Sequence, residues 1–600
     1  MSQSAAVRRE TANDLGPLPE WDLADLYPGR DSPELQRDLA AAETQAGEFQ
    51  AAHAGKLASY AAPQLADAIA QYEKLDETLT RVMSYADLTY AGNQSDAELA
   101  KFYQTMQERV NAISTKLIFF TLEINRLDDA ALAAKLKDAK LARYAPWLRD
   151  VRARKPHDLP DEIERLLHEK YVSGRAAWNR LFDETMAGLR FPLDGKDVTS
   201  AEIFHLLSDR DPKVRKAAAK SIGGVLGANA KLFALITNTL AKDKQIEDTW
   251  RKFPRPISSR NLSNLVEDEV VDALIKAVRD AFPRLSHRYY KMKARWFGVE
   301  QLDYWDRNAP LPESDETVIP WTQARDCVLD AYGKFSPELA SVGKRFFDGK
   351  WIDAPVRPGK SPGAFAHPTV PSAHPYLLVN YLGKTRDVMT LAHELGHGVH
   401  QVLAGGQGQL LSQTPLTLAE TASVFGEMLT FRALLDAEKD PKRRKAMLAG
   451  KVEDMLNTVV RQIAFVEFER RVHDERRESE LTADRINEIW IDVQRESLGP
   501  ALRFDDEYKY YWTYIPHFIH TPFYVYAYAF GDCLVNSLYA AYSKAPGGFA
   551  NKYLDLLRAG GAKRHKELLA PFGLDASDPA FWDSGLNVVA GLIDELETIG

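Results

Sequence analysis

Cysteine is nearly absent from this chain: Cys327 and Cys533 are the only two in 600 residues. That excludes a disulfide framework and a cysteine-based zinc cluster, and it suits a reducing compartment. Long hydrophobic runs are missing as well. The most apolar late stretch, 519 to 530, falls short of the ~20 residues needed to span a bilayer and carries His520 and several tyrosines. The opening MSQSAAVRRETANDLG has no apolar segment of the kind a secretory signal needs, so a cytoplasmic protein is expected. Neither sign of charge forms a block: 76 basic and 85 acidic residues leave a net charge of −9 and no surface suited to phosphates. Nucleic acid and membrane are therefore not expected as partners.

What is present is an ordinary globular composition, 45% hydrophobic, 27% charged and 10% aromatic, over a length that exceeds one hydrophobic core. Helical periodicity dominates. SPELQRDLAAAETQAGEFQAAHAG starts with Ser32 as an N-cap and Pro33 at the first helical position, and it runs out at Gly55. DPKVRKAAAKSIGGVL opens in the same way with Asp211 and Pro212. VEDMLNTVVRQIAFVEFERRV places Met455, Val459, Ile463 and Val466 on one core-facing stripe.

One region departs from this pattern. Between Pro355 and Pro375 the density of proline and glycine rules out a regular helix and predicts loop. PYLLVNYLG, directly after it, suits a short strand. An extended peptide could pair with the backbone of Tyr376 to Leu382 there, or the strand could simply brace the helix that follows.

That next helix contains LAHELGHGVHQVL, with His393, Glu394 and His397 within five positions. For a chain with 14 histidines the chance expectation of such a match is about 0.05. In a helix the two histidines lie one turn apart on one face, so both imidazoles can reach one Zn²⁺ with Glu394 beside it. Gly396 and Gly398 cost the helix about 1 kcal/mol each relative to alanine, which close approach by a neighbour would explain.

A catalytic zinc needs a third protein ligand and one open position. Leu403 stands where the metzincin pattern demands histidine, so that class is excluded. From Gly398 through Leu435 the only acids are Glu420 and Glu427. TLAETASVFGEMLTF reads as a second, buried helix, on which residues seven apart project from the same face. One of the two glutamates could ligate zinc while the other orients a ligand histidine.

Several separated stretches now carry a resemblance: LPEWDLADLYPG, GKSPGAFAHP, TLAHELGHGVHQVL, LAETASVFGEMLTFRALL and YIPHFIHTPFYVYAYAFGDCLVNSLY. Together, in this order, they resemble the M3 family of zinc metallopeptidases and specifically its oligoendopeptidase F branch. The resemblance implies a mainly α, two-lobed gluzincin fold with a deep substrate channel and a small β element next to the active helix. It divides the chain into an N-terminal helical oligoendopeptidase F-type region, 1–200, and an M3-type catalytic region, 201–600. It further implies one Zn²⁺ per chain held by His393, His397 and Glu420, with Glu394 as general base and Glu427 behind the ligands. Oligopeptides are the implied substrates, cut at internal bonds; the oligomeric state stays open. A later segment of the family supplies donors to the scissile carbonyl; His517 and Tyr528 are favoured here, then His520 and Tyr524, with Tyr526 also a candidate. His400, one turn beyond His397, is expected to serve structure rather than to ligate metal.

Overall fold

The computed structural model describes residues 15–311 and 318–599. It is mainly helical, and three small sheets of two, two and three strands occur among the described residues. The expected helix starts are present. Ser32 Oγ accepts the N–H of Leu35 at 3.3 Å and opens the helix Pro33–His53. Asp211 accepts from Lys213 N–H at 2.8 Å and opens Pro212–Trp250. Met455, Val459, Ile463 and Val466 are all buried. They belong to two helices, Pro441–Thr458 and Val460–Glu478, because the chain turns at Val459.

Two compact units form. The first comprises Met1–Lys155, Glu316–Ala437 and Lys544–Gly573; the second comprises Pro156–Asp315, Glu438–Ser543 and Leu574–Gly600. Each is assembled from stretches on both sides of residue 200. No helix among the described residues is long and apolar enough to cross a membrane.

In the first unit the Pro/Gly-rich segment forms no helix, as its breakers require, but a strand, Phe365–His367, arises inside it. The second strand there, Tyr376–Leu378, is where the sequence predicts one. The sheet order puts Tyr376–Leu378 in the middle, parallel to Ile352–Asp353 and antiparallel to Phe365–His367. Both of its edges are therefore used, and a peptide cannot pair with it; the outer strands are Ile352–Asp353 and Phe365–His367. Lys360 braces the loop by donating to the carbonyls of Asp353, Pro355 and Val379 at 3.1, 2.9 and 2.6 Å. This sheet leads directly into the helix Thr385–Ala404, whose Leu391, Leu395 and Val399 are fully buried.

Candidate metal centre

His393 and His397 project from the same face of the helix Thr385–Ala404, their ring centroids 4.9 Å apart. Oε2 of Glu420 lies 3.4 Å from Nε2 of each ring. Among the described residues this is the one group of three or more His, Cys, Asp or Glu side chains whose donor atoms all lie within 4.8 Å of one another.

Glu420 does not sit on a continuous helix with Glu427, contrary to the periodicity. It follows the short helix Leu416–Ala419 in a turn, and Ser423–Ala437 begins three residues later. The turn is pressed against the motif helix at Gly396. A Cβ there would lie 2.5 Å from the Ala422 carbonyl oxygen and 2.6 Å from Ser423 Cα. At Gly398 it would meet the Phe346 ring at 2.6 Å. The two helix-weakening glycines are thus the positions of closest approach, as their cost suggested. Ser423 Oγ donates to Glu420 Oε2 at 2.6 Å and steadies the carboxylate.

Glu427 stands behind the histidines, its Oε2 3.1 Å from Nδ1 of His393. A proton held on Nδ1 leaves the Nε2 lone pair facing Glu420 and His397. Two imidazole nitrogens and one carboxylate oxygen converging in this way suit a zinc-type cation with a further position open. The electrostatics favour positive charge here. Burial works against a charged His393, yet the hydrogen bond to Glu427 and the fields of Glu420, Glu394 and Glu427 outweigh it and lift the ring to about 9. Burial likewise opposes the Glu420 carboxylate, but His397, His393 and Ser423 hold it down at about 2.

Glu394 is 7% exposed. Burial raises its carboxyl above the usual range, while His393, His397 and the Ala366 N–H pull the other way. Ala366 is a participant that no side-chain pattern reveals. It lies opposite Leu377, whose own N–H is spent on the Trp351 carbonyl at 2.8 Å. In an antiparallel pair the backbone of Ala366 must then face the open edge. Its N–H turns to Glu394, and its carbonyl accepts from Gln401 Nε2 at 3.3 Å.

His400 is buried and ties the motif helix to the loop before Glu420, with Nε2 3.2 Å from Thr414 Oγ1. Burial pushes its pKa down to about 4, in keeping with a structural role. A cavity of about 600 Å³ adjoins the centre in this unit, lined by His397, His400, Gln401, Gln413 and Thr414 among others.

The candidate carbonyl donors lie in the second unit. Three of them form one group: the His517 ring is 6.0 Å from Tyr524 and 6.1 Å from Tyr528, and the two tyrosines are 5.5 Å apart. His520 is not brought into it; its Nε2 lies 2.8 Å from Asp183 Oδ1. Tyr526 points inward, fully buried, and its hydroxyl accepts from Asn264 at 2.9 Å. Cys533 is buried and Cys327 half-buried, both as free thiols.

The family model described as peptidase family M3 matches residues 334–588, and the one described as oligopeptidase F matches 123–191. Oligopeptidase PepF of Bacillus subtilis is 25% identical over 96% of this chain and 87% of its own length. An oligoendopeptidase F homolog of Borreliella burgdorferi is 25% identical over 98% and 99%. Among solved structures, a candidate peptidase from Chlamydophila abortus superimposes with a TM-score of 0.87 at 21% identity, covering 97% of this chain and 98% of its own. Oligoendopeptidase-F of Enterococcus faecium gives 0.69 at 23% identity, covering 94% and 97%.

Proposed function

Since the chain belongs to peptidase family M3 and is a metallopeptidase acting on oligopeptides, we propose that it is a zinc endopeptidase cutting internal bonds of short peptides, with Glu394 as general base. The observation that carries this reading is the convergence of His393, His397 and Glu420 beside a buried Glu394. His393, His397 and Glu420 would hold the zinc, whose chemistry when bound would be Lewis acidity toward the scissile carbonyl and a bound water of pKa about 7.

The remaining work falls to the chain's own groups. Glu394 takes the proton of the attacking water and passes it to the leaving amine. Glu427 keeps the His393 ring in one tautomer and orientation. Ala366, on the edge strand Phe365–His367, steadies the Glu394 carboxylate through its backbone N–H. His517, Tyr528 and Tyr524 donate to the carbonyl oxygen as its negative charge develops, where losing one donor typically costs about 10² to 10³ in rate.

The test is the product pattern from a blocked peptide of about ten residues, read by mass spectrometry at early conversion. Complementary internal fragments support an endopeptidase. Stepwise loss of terminal residues from an unblocked peptide, with the blocked one intact, would mean an exopeptidase.

A further inference from the structure

Phe523, the residue before Tyr524, has φ +61°, a left-handed conformation that an aromatic residue rarely adopts. Its side chain is fully buried, with the His473 ring 5.0 Å away. Something must hold this backbone, and its N–H donates to Oε1 of Glu469 at 2.8 Å. Glu469, on the helix Val460–Glu478, is 2% exposed, and its Oε2 has no hydrogen-bond partner among the described residues. A buried carboxyl left half-satisfied is costly, so its one bond is made where the chain is strained.

Two cations grip the same loop by its carbonyls. Arg260 Nε donates to Pro522 O at 3.3 Å and its guanidinium lies 5.9 Å from the Tyr524 ring centroid. Arg175 Nη2 donates to Ile519 O at 2.8 Å. The segment between His517 and Tyr524 is therefore anchored by its backbone at Ile519, Pro522 and Phe523. Burial pushes the Glu469 carboxyl up to about 8, against the Phe523 N–H, Arg260 and Lys244. His473, one turn on, stays neutral, since burial and the fields of Lys244, Arg175 and Arg477 push it down to about 3. Protonated or not, Glu469 keeps an oxygen for the N–H.

We propose that Glu469 is a positioning residue: by holding Phe523 in its left-handed conformation it sets how Tyr524, His517 and Tyr528 are presented to substrate. The inference rests on the reading that these rings assist the reaction. It assigns Glu469 no contact with substrate.

The test uses the full chain at matched metal content, with active sites counted by titration against a tight-binding phosphinic peptide. Glu469→Gln keeps the carbonyl acceptor and is expected to hold kcat within about 3-fold, whereas Glu469→Leu lowers kcat per titrated site by about 10- to 100-fold with little change in KM. In a Tyr528→Phe background Glu469→Leu then adds less than about 3-fold, because both act through one group of rings. Unchanged turnover in Glu469→Leu beside an impaired Tyr528→Phe overturns this inference alone, as does a fully additive loss in the double variant. If Tyr528→Phe and His517→Ala both turn over normally, the donor reading fails and this inference falls with it.

Discussion

Glu427 and His393 are paired away from the convergent face of the centre: Oε2 lies 3.1 Å from Nδ1, while Nε2 of the same ring faces Glu420. Under the zinc reading proposed above, the carboxylate would act on the metal through the imidazole it orients. Glu427→Gln is expected to weaken zinc by about 10- to 100-fold, measured by competition with a chromogenic chelator, while leaving the helix intact.

Gly396 is the point where the turn bearing Glu420 touches the motif helix, with space for no Cβ. The contacting atoms are backbone, which cannot rotate aside. Gly396→Ala is expected to destabilise the chain by about 1 to 3 kcal/mol and to loosen zinc as Glu420 is displaced. Thermal unfolding with and without chelator checks both effects.

The His/Tyr segment separates into three side chains that share a group, His517, Tyr524 and Tyr528, and two that do not, His520 and Tyr526. Tyr528→Phe is expected to lower kcat by about 10² while His520→Ala, which breaks a pair with Asp183, leaves it within about 3-fold. Steady-state kinetics at matched metal content decides between them.

Glu469 gives a pH dependence of defined sign. Its folded carboxyl is raised from the ordinary value of 4.5 to about 8, so between those values the folded chain binds more protons than the unfolded one. Stability from this group falls as pH rises through that window and is level beyond it. Relative to wild type, Glu469→Gln is expected to gain on the order of 4 kcal/mol between pH 5 and pH 9. Urea titrations of both proteins at the two values measure the difference.

The legible parts of the centre are those that a local period determines. His393 and His397 share a face because a helix repeats every four residues, and the acids that follow are few enough to single out Glu420 and Glu427. The break at Glu420 was not legible, since it depends on contact with Gly396, far away in sequence terms. Strand order escaped for the same reason: Tyr376–Leu378 reads as a strand, but only pairing reveals that it lies between Ile352–Asp353 and Phe365–His367. Ala366 acts through its backbone and leaves no side-chain signature. Glu469 reads simply as one acid of an arginine- and glutamate-rich helix until its burial and its bond to Phe523 are seen.

The most direct measurement compares wild type with Glu394→Gln on a quenched fluorescent peptide at equal zinc content. The account predicts internal cleavage by the wild type and a rate in the variant lower by about 10² or more, with zinc still bound. Equal rates in the two zinc-loaded proteins would contradict it, because the proton would then be moved by some other group.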